Sequence, residues 1–462
     1  MVLSGWRPSK GFGLHPGVLK DAARLRRNAR RSGNYASRWG KEVSLAELCD
    51  PRHPEVTVIP RDKVLDVVDE WGDHIGFQRT LFPFSSTDFY AELDEREGTV
   101  FWELVRAEPF LRLGKISQLG YLVPARPEHW DPNIRIAYLT PTFEHTRWLH
   151  SLIVAILMEV TLARNGFSQK ERNPSVLMAG CHDIATVAGG DPVKLMDPGE
   201  LDEERNFSWV LERFGLAERW KELFGFDLEV AQRQVKNEGT MGLLLDALDK
   251  ISYTALDCFH VGSERPGKIR DFCIAHPLVM DVWQDIRFTA DRTRFAFVSP
   301  EHLYDFLVLR ALEHTEFLLN PDSRRLDLYL TNLLRPLYEN GEITKEQLLL
   351  EDNDWLEREL ECRFPEKIKG YIEPDLLGWK WFETEEERER FCEEIGEDRV
   401  ERREDSKPFN PGLYLPVFAE DGSIRQIREV LEPSKVETLE QMARERVGFC
   451  VFYYRDRPLH SS

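Results

Sequence analysis

The sequence has no long apolar run, few cysteines and too little positive charge to balance its acidic residues. Its longest apolar stretch, Ser151 to Met158, ends at Glu159 and is far shorter than the roughly 18 residues a membrane span needs. We therefore expect no transmembrane helix and no membrane partner. The seven cysteines form no C-x-x-C pair, which argues against both a disulfide framework and a zinc knuckle.

Acidic residues outnumber basic ones by 81 to 61, and the formal net charge is −20. This balance disfavours extended nucleic-acid binding, which needs a basic field. The charge balance does not exclude an anionic small-molecule substrate, because a metal ion with a few Lys and Arg side chains can create a local positive pocket. The opening residues, MVLSGWRPSKGFGLHPG, do not resemble a secretory signal, so we expect a cytoplasmic protein.

The fold predicted from periodicity is mainly α-helical. Residues 1–100 read as an irregular N-terminal extension, and helical periodicity dominates residues 101–338. Residues 339–406 are helical and dense in charge, ending in a solvated helix and linker. Residues 407–462 form a small α+β appendage, since Asp421 and Gly422 mark a hairpin and aromatic residues mark a further strand.

Residues 243–262 read as a buried helix that carries an unusual row of polar groups. Asp249, Tyr253 and Asp257 recur every four residues and so project from one face, with Lys250 beside the first. An unpaired carboxylate is strongly disfavoured on an apolar helix. We therefore expect a cation to meet Asp249.

Other segments supply partners for such a cation. His150 lies one helical turn after Arg147, and His182 and Asp183 end an apolar helix. Together with Asp249 they form a mixed nitrogen and oxygen set, which suits one divalent ion such as Mn, Fe, Mg or Zn.

Four segments resemble, in order and wording, the HD-domain deoxynucleoside triphosphate triphosphohydrolases, a family of dGTPase-like enzymes. They are EPFLRLGKISQLGYLVP, FEHTRWLHSL, CHD and DKISYTALDCFHVG. The similarity covers roughly residues 101 to 325. It implies an HD-domain helical bundle and hydrolysis of dNTPs to deoxynucleoside and triphosphate. It also implies a homo-oligomer.

The resemblance also implies roles for individual residues. Metal ligands would be His150, His182, Asp183 and Asp249. Arg147, Lys250 and Arg310 would bind phosphate. The sugar would meet Gln118, Leu119, Tyr253 and Asp257.

The sequence departs from the family pattern after Asp183. Thr186 and Asp191 stand where the family has histidines, and Glu203 and Glu204 stand near its H-E pair. Asp191 and Glu203 could supply the catalytic acid and base, since partly buried carboxyl groups can titrate near neutral pH. Alternatively they are a loop residue and a surface charge at a helix N-terminus, and the site binds metal and nucleotide but hydrolyses slowly or cleaves a different bond.

Leu318 replaces a stacking tyrosine that the family often has, which predicts a different base or sugar preference. Two further functions stay open at this stage. One is an HD phosphohydrolase acting on another phosphoester, such as a nucleoside monophosphate, an alarmone or single-stranded nucleic acid. The other is a catalytically weak, oligomeric nucleotide sensor.

Overall fold

The computed structural model describes residues 56–60, 81–83, 89–93, 97–118, 146–264, 282–319, 321–364, 377–406, 408–445 and 447–455. Of the predicted site residues, Leu119 lies outside these ranges. Most of the predicted N-terminal extension also lies outside them. Within it, three short strands are described: β1 (Val56–Pro60), β2 (Leu81–Pro83) and β3 (Phe89–Leu93).

Helices make up most of the remainder. The first group is α1 (Val100–Val105), α2 (Glu108–Arg112), α3 (Arg147–Arg164), α4 (Gln169–Cys181), α5 (Asp191–Lys194), α6 (Glu203–Arg213), α7 (Leu216–Phe224), α8 (Leu228–Val235) and α9 (Gly239–Glu264). The second group is α10 (Pro300–Glu313), α11 (Pro321–Glu339), α12 (Lys345–Leu350), α13 (Asn353–Arg363), α14 (Glu385–Ile395), α15 (Ile427–Val430) and α16 (Pro433–Arg444). A π-helical turn, His314–Leu318, continues α10.

Three helices form the centre of the bundle and carry most of the polar residues predicted for the site. α3 packs along α4 and against α9. α3 begins at Thr146, whose hydroxyl accepts a hydrogen bond from the backbone of Leu149 at 3.3 Å and so caps the helix. Apolar side chains of α3 such as Leu152 and Ile156 are fully buried. Burial of these apolar faces is the main source of helix stability, because tertiary packing contributes more to it than intrinsic helix propensity does.

The remaining strands form two small sheets. Strands β6 (Leu377–Phe382), β7 (Val400–Ser406) and β10 (Gly448–Tyr454) are antiparallel, in the order β6-β10-β7. Strands β4 (Ile286–Phe288), β5 (Phe295–Phe297), β8 (Pro416–Phe418) and β9 (Ile424–Gln426) form the other sheet in chain order. β5 and β8 pair in parallel through Phe297 and Val417. This pairing brings the chain before β8 onto the helical core.

The mainly helical fold with a small C-terminal sheet region is confirmed. The helix predicted at 243–262 lies inside α9. The predicted hairpin is β8–β9, closed by the turn at Asp421 and Gly422. The linker predicted before residue 406 is instead β7, whose charged side chains hid its extended pairing with β10. Within the described residues, no helix combines the length and apolar character that a membrane crossing requires.

Candidate metal centre

Three of the predicted ligands converge on one point. Nε2 of His150 lies 3.3 Å from Nε2 of His182 and 2.9 Å from Oδ1 of Asp249. Nε2 of His182 lies 3.4 Å from the same carboxylate oxygen. Donor atoms that share one ion through bonds of about 2.1 Å are on the order of 3 Å apart. His150, His182 and Asp249 therefore fit a single metal ion.

Hydrogen bonds behind the two imidazoles point their Nε2 atoms at this centre. Nδ1 of His182 donates to the carbonyl of Ala179 at 2.7 Å, since a carbonyl can only accept. Nδ1 of His150 contacts the hydroxyl of Ser252 at 3.2 Å. Such contacts fix the ring orientation and leave Nε2 as the metal-binding atom. Both imidazoles are buried, whereas the Asp249 side chain is 30% exposed and opens the centre to solvent.

Asp183 lies beside the cluster rather than within it. Its oxygens are 3.8 Å from Nε2 of His150 and 3.7 Å from Nε2 of His182. Oδ2 accepts a hydrogen bond from the Arg147 guanidinium at 2.9 Å. Asp183 can therefore serve as a fourth ligand or as the group that fixes Arg147.

The charges at this centre suit a cation. Burial raises the pKa of Asp249, but hydrogen bonds from His150 and His182 outweigh it and hold that pKa well below its usual value. Burial lowers the pKa of His182, but Asp183 and Asp249 outweigh it and raise that pKa to about 9. The carboxylates of Asp183 and Asp249 thus stabilise positive charge beside the Nε2 atoms of His150 and His182.

Arg147 joins the cluster to the two predicted catalytic carboxyl groups. Its second guanidinium nitrogen donates to Asp191 at 2.6 Å. Lys194 lies 3.5 Å from Asp191 and donates to Glu203 at 2.7 Å. These ion pairs extend from the buried cluster towards solvent. The Asp191 side chain is 54% accessible to solvent.

The two carboxyl groups differ in their titration. Partial burial raises the pKa of Asp191, but Arg147 and Lys194 outweigh this and lower it. Burial raises the pKa of Glu203, and the neighbouring Asp191 adds to the increase although Lys194 opposes it. The pKa values of the two carboxyl groups are therefore shifted in opposite directions, down for Asp191 and up for Glu203.

The loop between Asp183 and Asp191 is buried and held by hydrogen bonds. Arg112 on α2 donates to the carbonyls of Ile184 at 3.0 Å and Thr186 at 2.7 Å. The backbone of Gly189 donates to the side chain of Asn353 at 2.7 Å. This packing fixes Asp191, which begins α5, relative to the histidines.

A second polar group lies further along α9. Nζ of Lys250 contacts Oδ1 of Asp246, and the Arg310 guanidinium from α10 donates to the hydroxyl of Tyr253. The imidazole of His314 also approaches Arg310, at 3.5 Å. The predicted phosphate-binding Lys250 and Arg310 and sugar-binding Tyr253 are therefore adjacent, and each already has a partner within the protein.

Asp257 lies at the far end of the predicted row, opposite Glu313 of α10. Both side chains are almost completely buried and lie in hydrogen-bonding contact. Burial raises the pKa of Asp257 to about 7. Burial, and then the neighbouring Asp257, raises the pKa of Glu313 well above its usual value. Such a pair shares a proton at neutral pH.

Gln118 lies close to the N-terminus of α3. The neighbouring Ser117 bridges to Thr146, and the backbone of Arg147 donates to the carbonyl of Ile116 at 2.9 Å. Gln118 is buried. Its predicted contact with the sugar remains a prediction, as do the other substrate roles.

Several residues of this region were not apparent from the sequence. They are Ala179, Ser252, Lys194, Asp246, Glu313, His314 and Tyr414. Asp246 and His314 carried a detectable signal, since each lies one helical turn from a predicted residue, Lys250 and Arg310 respectively. Contacts between distant parts of the chain place Ser252 beside His150, Glu313 beside Asp257 and Tyr414 beside Asp246.

No protein-family model matches the chain, and no curated protein matches it. Its fold is similar to that of a hypothetical protein from Aquifex aeolicus, at a TM-score of 0.58 and 18% identity, covering 81% of this chain and 96% of that one. It is also similar to a phosphohydrolase from Bacteroides thetaiotaomicron, at a TM-score of 0.55 and 16% identity, covering 82% and 100%. At these identities the likeness concerns the fold alone.

Proposed function

We propose that the chain is a metal-dependent phosphohydrolase that acts on nucleotides, most simply converting a dNTP to a deoxynucleoside and triphosphate. The observation that carries the proposal is the convergence of His150, His182 and Asp249 on one point. A divalent ion bound there would polarise a phosphoryl oxygen and acidify a bound water molecule. The likeness in fold to a solved phosphohydrolase supports the reaction class.

Three cations are proposed to bind the polyphosphate. Arg147 contacts Asp183 beside the cluster, and Lys250 follows the ligand Asp249 directly in the chain. The Arg310 guanidinium donates a hydrogen bond to Tyr253, which lies on the same face of α9 as Asp249. These cations would offset the negative charge of a triphosphate, and fixed positive charges stabilise phosphoryl transfer more than mobile solvent does.

Asp191 and Glu203 are proposed as the base and the acid. In the reaction, water adds to the α-phosphorus while the bond from phosphorus to the 5′ oxygen breaks. Asp191 accepts the proton of the attacking water, and Glu203 donates a proton to the leaving 5′ oxygen. The raised pKa of Glu203 favours its role as the acid, whereas the lowered pKa of Asp191 keeps this group ionised and makes it a weaker base.

The sugar would lie along α9 beyond the phosphates. Tyr253 would cover the 2′ position, Asp257 would accept from a hydroxyl, and the Gln118 side chain would address a sugar hydroxyl. Asp249, Lys250, Tyr253 and Asp257 would thus read metal, phosphate and sugar in the order in which a nucleotide presents them.

Separation of reaction products by chromatography tests the proposal. Purified protein is incubated with each dNTP and each NTP in the presence of Mn. We expect inorganic triphosphate and deoxynucleoside from at least one dNTP. Release of phosphate or pyrophosphate instead would indicate a different phosphoester substrate, and no release from any nucleotide with Mn, Mg, Fe or Co would overturn the proposed activity.

A further inference from the structure

Segment 408–415 lies against the polar group formed by α9 and α10. The carbonyl of Asn410 accepts a hydrogen bond from Arg310 at 2.7 Å. The ring of Phe409 packs on the imidazole of His314, with ring centroids 4.7 Å apart. Asn410 lies 100 residues after Arg310 in the sequence, yet it contacts this predicted phosphate-binding residue directly.

Tyr414 makes the second contact. Its hydroxyl donates to Oδ2 of Asp246 at 2.5 Å, while Oδ1 of the same carboxylate contacts Nζ of Lys250. The side chains of Asp246 and Lys250 are only 9% and 10% exposed. A buried carboxylate with a partner on each oxygen is held in one orientation. Asp246 therefore holds the Lys250 ammonium group in a fixed position.

The segment itself is firmly anchored. Leu413 and Leu415 are buried, and β8 continues directly from it into the sheet with β5. Gly412 adopts a positive φ of 83°, and its backbone donates to the side chain of Asn410 at 2.9 Å. A Cβ at Gly412 would lie 2.8 Å from Cδ2 of the buried Leu307, so any larger residue would force this side chain of α10 to move and would also be strained by the positive φ.

We propose that segment 408–415 is part of the phosphate-binding site, with Tyr414 as a positioning residue that acts on Lys250 through Asp246. The proposal rests on the proposed function, since it assigns the ligand of Lys250 and Arg310 as a polyphosphate. The segment acts on both cations: it reaches Lys250 through the side chains of Tyr414 and Asp246, and it contacts Arg310 through the backbone carbonyl of Asn410.

Binding of inorganic triphosphate, measured by calorimetry in the presence of Mn, tests this role. Tyr414→Phe keeps the ring and removes one hydrogen bond, so we expect affinity to fall on the order of two- to twelve-fold. The control is Tyr338→Phe, which removes a similar contact, 3.3 Å to Asp197, from α11. The control should bind as the wild type does.

A double-mutant cycle separates positioning from a general loss of stability. In a Lys250→Gln background, Tyr414→Phe should cause no further loss of affinity, because its target is gone. An equal loss in both backgrounds would overturn the positioning role. So would unchanged or tighter binding by Tyr414→Phe alone.

A backbone variant tests the segment independently. Gly412→Ala should weaken triphosphate binding, whereas Gly422→Ala should not, because Gly422 has a similar φ of 78° but open space around it in the β8–β9 turn. Equal binding by both glycine variants would contradict the proposal. If the wild type does not bind triphosphate at all, the proposed function fails as well; if it binds and only the variants behave unexpectedly, this inference fails alone.

Discussion

His150 and Asp249 approach each other to 2.9 Å across two different helices, between Nε2 and Oδ1. A second histidine, His182, meets the same oxygen from the end of a third helix. Because each ligand comes from a separate element, a metal ion bound here would tie α3, α4 and α9 together. Stability should therefore depend on metal.

Chelation should lower the melting temperature of the metal-loaded protein. An ion present at 100 times its dissociation constant stabilises the folded state by about 2.7 kcal/mol. Thermal unfolding with and without EDTA measures the change. Asp249→Asn should show no response to EDTA, and an identical shift in the wild type and this variant would show that the ion binds elsewhere.

Arg147→Ala should weaken binding of inorganic triphosphate and also destabilise the fold. It leaves buried Asp183 without its cation, and breaking a buried pair typically costs about 3–5 kcal/mol. The matched control is Arg172→Ala, which breaks the buried pair of Arg172 and Glu159, 3.0 Å apart.

Calorimetry and chemical unfolding separate the two effects of these variants. Both should lower the free energy of unfolding, but only Arg147→Ala should reduce triphosphate affinity. Metal content should stay unchanged in each. Loss of metal from Arg147→Ala alone would mean that Arg147 supports the ligands rather than the phosphate.

Glu203→Gln should lower the turnover of a dNTP by on the order of 10² to 10⁴ without loss of metal, because an amide cannot donate the proton. Glu204→Gln, at the next position of α6, is the control and should keep wild-type turnover. Rates measured with saturating substrate distinguish the pair. Equal activity of the two variants would leave Glu203 as an ordinary helix N-terminal charge.

The pair of Asp257 and Glu313 should make stability depend on pH. The pKa of Asp257 is raised to about 7, so the folded state holds a proton that the unfolded chain releases above about pH 4. The stabilisation is complete below about pH 4 and is lost as pH rises through about 7, at up to about 1.4 kcal/mol per pH unit.

Chemical unfolding between pH 5 and 8 measures this dependence. Asp257→Asn should make the decrease shallower, because its amide does not titrate while the buried Glu313 still holds a proton. A variant with the same slope as the wild type would show that Asp257 is not the group that holds the proton.

The sequence predicts that His150, His182 and Asp249 lie close together, because they lie on or beside apolar helices where polar groups stand out. Helical periodicity and the resemblance to the triphosphohydrolase family were sufficient to group His150, His182 and Asp249. Their supporting contacts could not be predicted in this way. Tyr414 meets Asp246 across 168 positions of chain, and no local pattern encodes that encounter.

The charge pattern of β7 led to the prediction of a linker instead of a strand. Residues 400–406, VERREDS, have no apolar alternation, and composition favours a solvated linker. In the structure they pair with the aromatic strand β10, with Arg403 opposite Val451. Cross-strand hydrogen bonds and contacts from β10 supply the stability that the β7 side chains lack.

Elemental analysis of metal content tests the central claim most directly. The wild type, Asp249→Asn and Asp285→Asn are loaded with Mn and freed of excess ion. Asp285 is the control, because it contacts His302 at 2.6 Å outside the cluster. We predict about one ion per chain in the wild type and in Asp285→Asn, and none in Asp249→Asn. Equal metal in all three proteins, or none in the wild type, would contradict the assignment.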